Sequence, residues 1–371
     1  MKKRIGYIDI AKCIAIIFIV IGHTGLVFNA GKTPGGMPQE LVAFAFSFHL
    51  PVFFVASGYF FSLDKKLDWA FVKKDARSLL LPYVVTAAII VVVTTANGLF
   101  SETMHASQEF QRWFTAALWG AGDRSPVALW PWPVERIGGI WFLLAMFWAR
   151  MLIAATHKLP DVARLGIMVA ALAAGVVSAH YVWPPFSIQS GIGCALYIFI
   201  GQLIRKHNLF EPGAIRPLVW VALAAVWAAA LVGRGAPAIA MCNYPNGALD
   251  VAGGIAASFC VIGASRAIEN HAARISAFMQ LVGRNTLSIF ALHIVEDNVV
   301  PWAMIGANLS ASLGGSSLTW VIVLAMRFAL DALIVLAAYL IPGIRMVYFP
   351  QLRKAKLAKR AEQETKAQSQ G

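Results

Sequence analysis

Along most of the chain, polar positions are rare and apolar residues run on for about twenty at a time. Such runs match the length a helix needs to cross a bilayer, and they recur from the first residues to near the C-terminus. Ten of them can be delimited, at 8–28, 41–62, 79–99, 138–156, 164–182, 188–204, 215–233, 248–265, 285–305 and 318–341. The pattern therefore predicts an all-α, polytopic membrane protein of about ten transmembrane helices. Residues 1–345 form a single transmembrane domain and 346–371 a basic cytoplasmic tail, disordered or lying on anionic lipid. The first run has no small-residue cleavage site, so it reads as a retained span and not as a signal peptide.

The polar exceptions carry the information. In Arg4–Thr24, RIGYIDIAKCIAIIFIVIGHT, an apolar span holds Asp9, Lys12 and His23. Lys12 and His23 are eleven residues apart, almost three helical turns, so they share a face about 16 Å apart along the axis. Asp9 falls within about 40° of that face. Ionisable groups at this depth cost several kcal/mol unless paired, which makes the face a candidate site. His23 fits a general base near neutral pH, with Asp9 or another acid as its orienter. A histidine that merely glues neighbouring helices together is the competing reading.

Other spans add candidates. FSFHLPVFFVASGYFF (46–61) contains His49 two residues before Pro51, where a kink is expected, and Ser57-Gly58, suited to close helix approach. His49 is as good a base as His23 by sequence alone. The loop LDKKLDWAFVKKDARSLLLPY (63–83) gathers Lys65, Lys66, Lys73, Lys74 and Arg77, where a polyphosphate could dock. Gly138-Gly139-Ile140-Trp141 opens the fourth span, where packing is the default reading. In GRNTLSIFALHIVEDN (283–298), Asn285 could cap the helix, and His293 and Glu296, three apart, could face one cavity. Asp297 lies beside them. Arg327 and Asp331 in the last span stand four apart, as a mutually neutralising pair. The loop of about 35 residues from Ser101 to Arg136 carries Trp113, Trp119, Trp130 and Trp132, as belt anchors or as an aromatic floor for a headgroup.

Composition agrees: 59% of residues are hydrophobic and 13% charged, too few charges for a soluble surface of this length. The net charge of +13 does not indicate nucleic-acid binding, because the cations cluster between apolar runs and in the tail. Their asymmetry predicts an N-in, C-in topology. It puts Lys2, Lys3, Arg4, the 65–77 cluster, Arg150, Arg164, Arg284 and the tail inside, with Lys32, Arg112, Arg124, Arg136 and Arg234 outside. Cys13, Cys194, Cys242 and Cys260 have no CxxC spacing and read as core residues without disulfides. No zinc-type spacing surrounds His23, and no metal is expected.

Five of these stretches, in order, resemble the integral-membrane acyltransferase 3 family, especially its bacterial O-acetyltransferase branch. They are Lys12 and His23 within the first span, FHLPVFFVASGYFF, KKDARSLLLPY, IWFL and GRNTLSIFALH. The resemblance implies a multi-pass protein of the bacterial inner membrane. It would move an acyl group, acetyl by family habit, from cytoplasmic acyl-CoA to a hydroxyl of a cell-envelope carbohydrate or glycolipid. It implies His23 as general base, and Lys12 and Arg77 as residues that help bind an acyl-CoA, beside Lys73 and Lys74 of the polyphosphate-docking cluster. His49, Trp141, His293 and Glu296 are left as candidate acceptor contacts. Lys12 departs from the arginine common in that branch and gives up the bidentate fork. Without an appended extracytoplasmic domain, the acceptor would be bound within the membrane domain. Membrane lipids are the remaining expected partners, and the sequence names no protein partner. The alternative class, a secondary transporter or flippase, would use the same buried groups as a relay and calls for broken helices at matching places in two halves.

Overall fold

The computed structural model describes residues 5–29, 33–99, 105–124, 134–211 and 213–352. Trp130, Trp132, Glu102, Lys2, Lys3, Arg4, Lys32 and the tail from residue 353 lie outside the described residues. All ten apolar runs are helical, and the described residues form fourteen α-helices, with an isolated β-bridge between Ala238 and Asn243.

The first three helices are α1 (Gly6–Asn29), α2 (Gln39–Phe60) and α3 (Trp69–Gly98). Next come α4 (Ala106–Trp119), α5 (Trp141–Ala155), α6 (Asp161–Ser178) and α7 (Ile188–Lys206). The second half holds α8 (Pro217–Leu231), α9 (Ala248–His271), α10 (Ala273–Arg284) and α11 (Thr286–Val299). The chain closes with α12 (Trp302–Ser312), α13 (Leu318–Leu340) and α14 (Pro342–Tyr348).

Seven of these are long and apolar enough to cross a membrane: α1, α2, α3, α6, α7, α9 and α13. The expected ninth span is a broken one. The chain bends by 69° between α11 and α12, which together would make an eighth crossing. The break falls at Val300-Pro301, where proline supplies no backbone N–H and the residue before it is driven out of the helical region. Helices α5 and α8 have 15 residues each, about 22 Å of rise against a hydrocarbon core of about 30 Å. Proline alone does not decide a break: α2 runs unbroken through Pro51.

Two basic loops turn out to be helical. The Asp68 carboxylate accepts a hydrogen bond from Phe71 N at 2.6 Å, so α3 starts about ten residues before its apolar run. Lys73, Lys74 and Arg77 therefore sit, exposed, on helix and not in a loop. Between α9 and α11, α10 exposes Ile275, Phe278 and Leu281 along one side, the habit of a helix lying at a membrane interface. Asn285 does not cap α11; its side-chain amide donates to Leu281 O at 2.9 Å and joins α10 to α11. Arg164, counted with the inner-side charges, is buried in α6, donating to Gln202 Oε1 at 2.6 Å.

Helix α1 is the centre of the bundle. It packs against α2, α9, α10, α11, α12 and α13, while α7 joins α2, α5 and α6 on the other side. Gly58 of α2 lies against the Ile198 carbonyl, and Gly201 of α7 against the Val55 carbonyl, with no room for a Cβ at either place. This is the close packing read from Ser57-Gly58. Within the long polar loop, Ala106–Trp119 form α4, which ends on Gly120 in the left-handed region, φ 61°. Trp119 is buried and donates to the Trp183 carbonyl at 3.0 Å, so it is neither a belt anchor nor an exposed floor. Trp113 donates to Glu109 Oε2 at 2.8 Å. All four cysteines are free thiols, three of them buried. Burial pushes the Cys242 thiol, in the α8–α9 connection, up to about 12.

Candidate active site

Because α1 is surrounded, its polar face has partners on other helices. His23 Nδ1 lies 3.1 Å from His293 Nε2 of α11 and 3.7 Å from Asp297 Oδ2. The two imidazoles stack with centroids 5.2 Å apart. On the far side of His293, Nδ1 is 2.8 Å from Glu296 Oε1 and 3.1 Å from Asp331 Oδ2. Arg327 of α13 donates through Nε and Nη2 to Glu296 Oε1, at 3.0 and 2.7 Å, and through Nη2 to Asp297 Oδ1 at 2.5 Å. Trp302, just past the helix break, donates its indole N–H to Glu296 Oε2. The bend at Val300-Pro301 thus places an indole where it covers a buried carboxylate.

This network sets the tautomers. Ionised carboxylates only accept, so His293 Nδ1 carries a hydrogen shared by Glu296 and Asp331. In neutral His293 the other nitrogen, Nε2, is then an acceptor and takes the Nδ1–H of His23. That leaves His23 Nε2 with its lone pair, and among the described residues no hydrogen bond to it is seen. In that tautomer His23 Nε2 is the ring nitrogen able to take a proton. Gly139, directly beneath, has the reason its spacing suggested: a Cβ there would lie 2.7 Å from Ile294 Cδ1 and 3.1 Å from His23 Cε1.

His23 opens onto a cavity of about 510 Å³ that it lines with His49, Phe46, Trp141, Arg136 and Asp297. His49 Nδ1 donates to the Ala45 carbonyl at 2.6 Å, which fixes its ring and turns Nε2 into its available acceptor. A second cavity of about 340 Å³ is lined by Lys12, Ser57 and Arg150. Ile19, Leu50 and Phe290 line both, so the two cavities adjoin across these three apolar side chains. Arg150 is held by Asp75 at 2.8 Å and stacks over Phe61, 5.0 Å from its centroid.

Several expectations change here. Asp9 is not the orienter of His23: it pairs with Lys12 at 2.7 Å and with Arg284 at 3.7 Å. Fourteen residues of α1, about 21 Å, separate it from His23. His293 and Glu296 are fully buried behind His23 and do not line the cavity, whereas Asp297 does. Arg327 and Asp331 do not neutralise each other; each turns to α11, one to the two acids and the other to His293. Lys73, Lys74 and Arg77 are absent from the lining of the cavity at Lys12, to which α3 contributes Leu79 and, through Asp75, the orientation of Arg150. Arg150 had passed as ordinary inside charge; its only sequence signal is an arginine preceded by ten apolar or aromatic residues.

The fold also gathers a ligand set that no local spacing announces. The ligand atoms of His23, His293 and Asp297, and those of His293, Glu296 and Asp331, lie within 4.8 Å of one another. His293, Glu296 and Asp297 already have protein partners, and Arg327 supplies a cation to both acids, so the cluster is coherent as a hydrogen-bonded network.

A helical membrane bundle with a networked histidine lining one cavity, and cationic side chains lining a second beside it, describes a site embedded in a membrane protein. The family follows directly. The model of an acyltransferase domain, that of the acyltransferase 3 family, matches residues 5–341, and the chain belongs to that family. No curated protein and no solved structure gives a significant match.

Proposed function

We propose that this membrane acyltransferase is an O-acetyltransferase that uses cytoplasmic acetyl-CoA to acylate a hydroxyl of a cell-envelope carbohydrate or glycolipid. The observation that carries the reading is a pair of cavities that adjoin across Ile19, Leu50 and Phe290, on the face of α1 that bears Lys12 and His23. One ends at Lys12 and Arg150, fitted to the anionic part of a CoA donor. The other, with His23, His49 and Trp141, has the polar and aromatic lining an acceptor sugar needs. In this reading the ten helical runs are ten crossings with both termini inside, in a bacterial inner membrane.

His23 Nε2 takes the proton of the acceptor hydroxyl as its oxygen attacks the thioester carbonyl. The tetrahedral intermediate collapses with cleavage of the C–S bond, and the CoA thiolate leaves and is protonated. His293 holds His23 in the reactive tautomer. The carboxylates of Asp297, Glu296 and Asp331, partly offset by Arg327, favour the imidazolium that forms. The transporter alternative finds one broken pair, α11–α12, but no second bent pair among the described residues, and α2 is continuous. The test is acceptor-dependent CoA release from acetyl-CoA by purified protein. Wild type should turn over and His23→Ala should not; equal turnover by a folded His23→Ala protein excludes His23 as the base.

A further inference from the structure

A separate feature lies on the outside of the bundle. Helices α10 and α13 both flank α1 but leave a groove of about 680 Å³ between them. Its walls are apolar, among them Ile16, Val20, Phe278, Val335 and Leu336, and it shares no lining residue with either cavity of the active site. Water does not fill such a space at membrane depth; side chains or lipid must. Deep in it stands Asp331, 4% exposed, with Oδ2 on His293 and Oδ1 without a hydrogen-bond partner. At the rim, Arg345 lies over the ring of Tyr339 at 5.6 Å, and Tyr339 packs on Phe349. Arg284 is close by, at the end of α10, and Gln351 donates to its carbonyl at 3.1 Å and to Asn285 Oδ1 at 3.0 Å.

We propose that this groove is a lipid site: it seats one acyl chain of a glycerophospholipid, with the phosphate at Arg345 and Arg284. Charge complementarity selects that occupant. A hydrocarbon chain satisfies the walls, but only an anionic headgroup uses a rim of two arginines and a tyrosine at the membrane interface. The seated chain also covers Asp331 from the bilayer side, so the carboxylate that anchors His293 stays out of reach of interfacial water. The CoA donor is better matched by the cavity at Lys12 and Arg150, which has no lining residue in common with the groove.

The experiment is native mass spectrometry of the full chain in detergent, titrated with phosphatidylglycerol. Variants are Ala332→Trp and Leu336→Trp, which fill the groove from exposed positions of α13, and Arg345→Gln at its rim. Val92→Trp, on the exposed side of α3, is the control. Wild type and Val92→Trp should retain one phospholipid through delipidation. Both groove-filling variants should lose it, and Arg345→Gln should weaken it about fivefold, the size of one cationic contact. Unchanged retention in Ala332→Trp and Leu336→Trp overturns the proposal, as does displacement of the lipid by palmitoyl-CoA, which would assign the groove to the donor. Because lipid retention is read without acyl transfer, failure here leaves the enzymatic reading untouched, and the reverse holds too.

Discussion

Replacing His293 by phenylalanine removes the nitrogen that accepts from His23 Nδ1 while keeping a planar ring in a site that is fully buried. Two things are lost. His23 loses its 3.1 Å partner, leaving Asp297 at 3.7 Å as the other acceptor seen among the described residues, and is free to carry its hydrogen on Nε2, where it is no base. Glu296 and Asp331 lose the N–H they share. A buried hydrogen bond of this kind contributes about 1–3 kcal/mol, which at about 1.4 kcal/mol per decade is roughly a 5- to 150-fold fall in kcat. Because His293 lines neither cavity, KM for donor and acceptor should hardly move. The assay is steady-state CoA release in nanodiscs, with His293→Gln measured beside His293→Phe. The glutamine carbonyl can accept from His23 and should recover part of kcat, which a purely structural role for His293 would not produce. A kcat for His293→Phe within twofold of wild type, or a loss confined to KM, refutes the tautomer argument.

Three further outcomes follow from the same geometry. Arg327→Met leaves Glu296 and Asp297 buried without their cation and should cost about 3–5 kcal/mol of stability, read as a lower denaturant midpoint in nanodiscs; Arg327→Lys should fall between, since one ammonium cannot span both acids. Gly139→Ala should lower kcat by about 100-fold, the penalty of displacing a reacting group by about 1 Å, with the thermal midpoint nearly unchanged. Arg150→Gln should raise KM for acetyl-CoA about tenfold, the loss of one charge-assisted contact, and leave the acceptor KM alone; an unchanged donor KM would remove Arg150 from the CoA site.

What the sequence alone determined is what depends on neighbours within a few turns. Apolar runs of bilayer length became helices in all ten places, because a helix satisfies its own backbone wherever water is absent. The unusual face of α1, the small residues at Ser57-Gly58 and Gly138-Gly139, and the polar character of α11 were likewise visible as local departures from that rule. Which polar group meets which was not legible. His23 and His293 are 270 residues apart in the chain. Arg327 and Asp331 could have satisfied each other across one turn, and Asp9 looked like an orienter because helical phase reports angle and not depth. Tertiary packing decided these pairings. The surroundings of α1 put α11 beside its C-terminal half and α10 beside its first turns, so each buried charge took the partner that its own level in the bundle supplied.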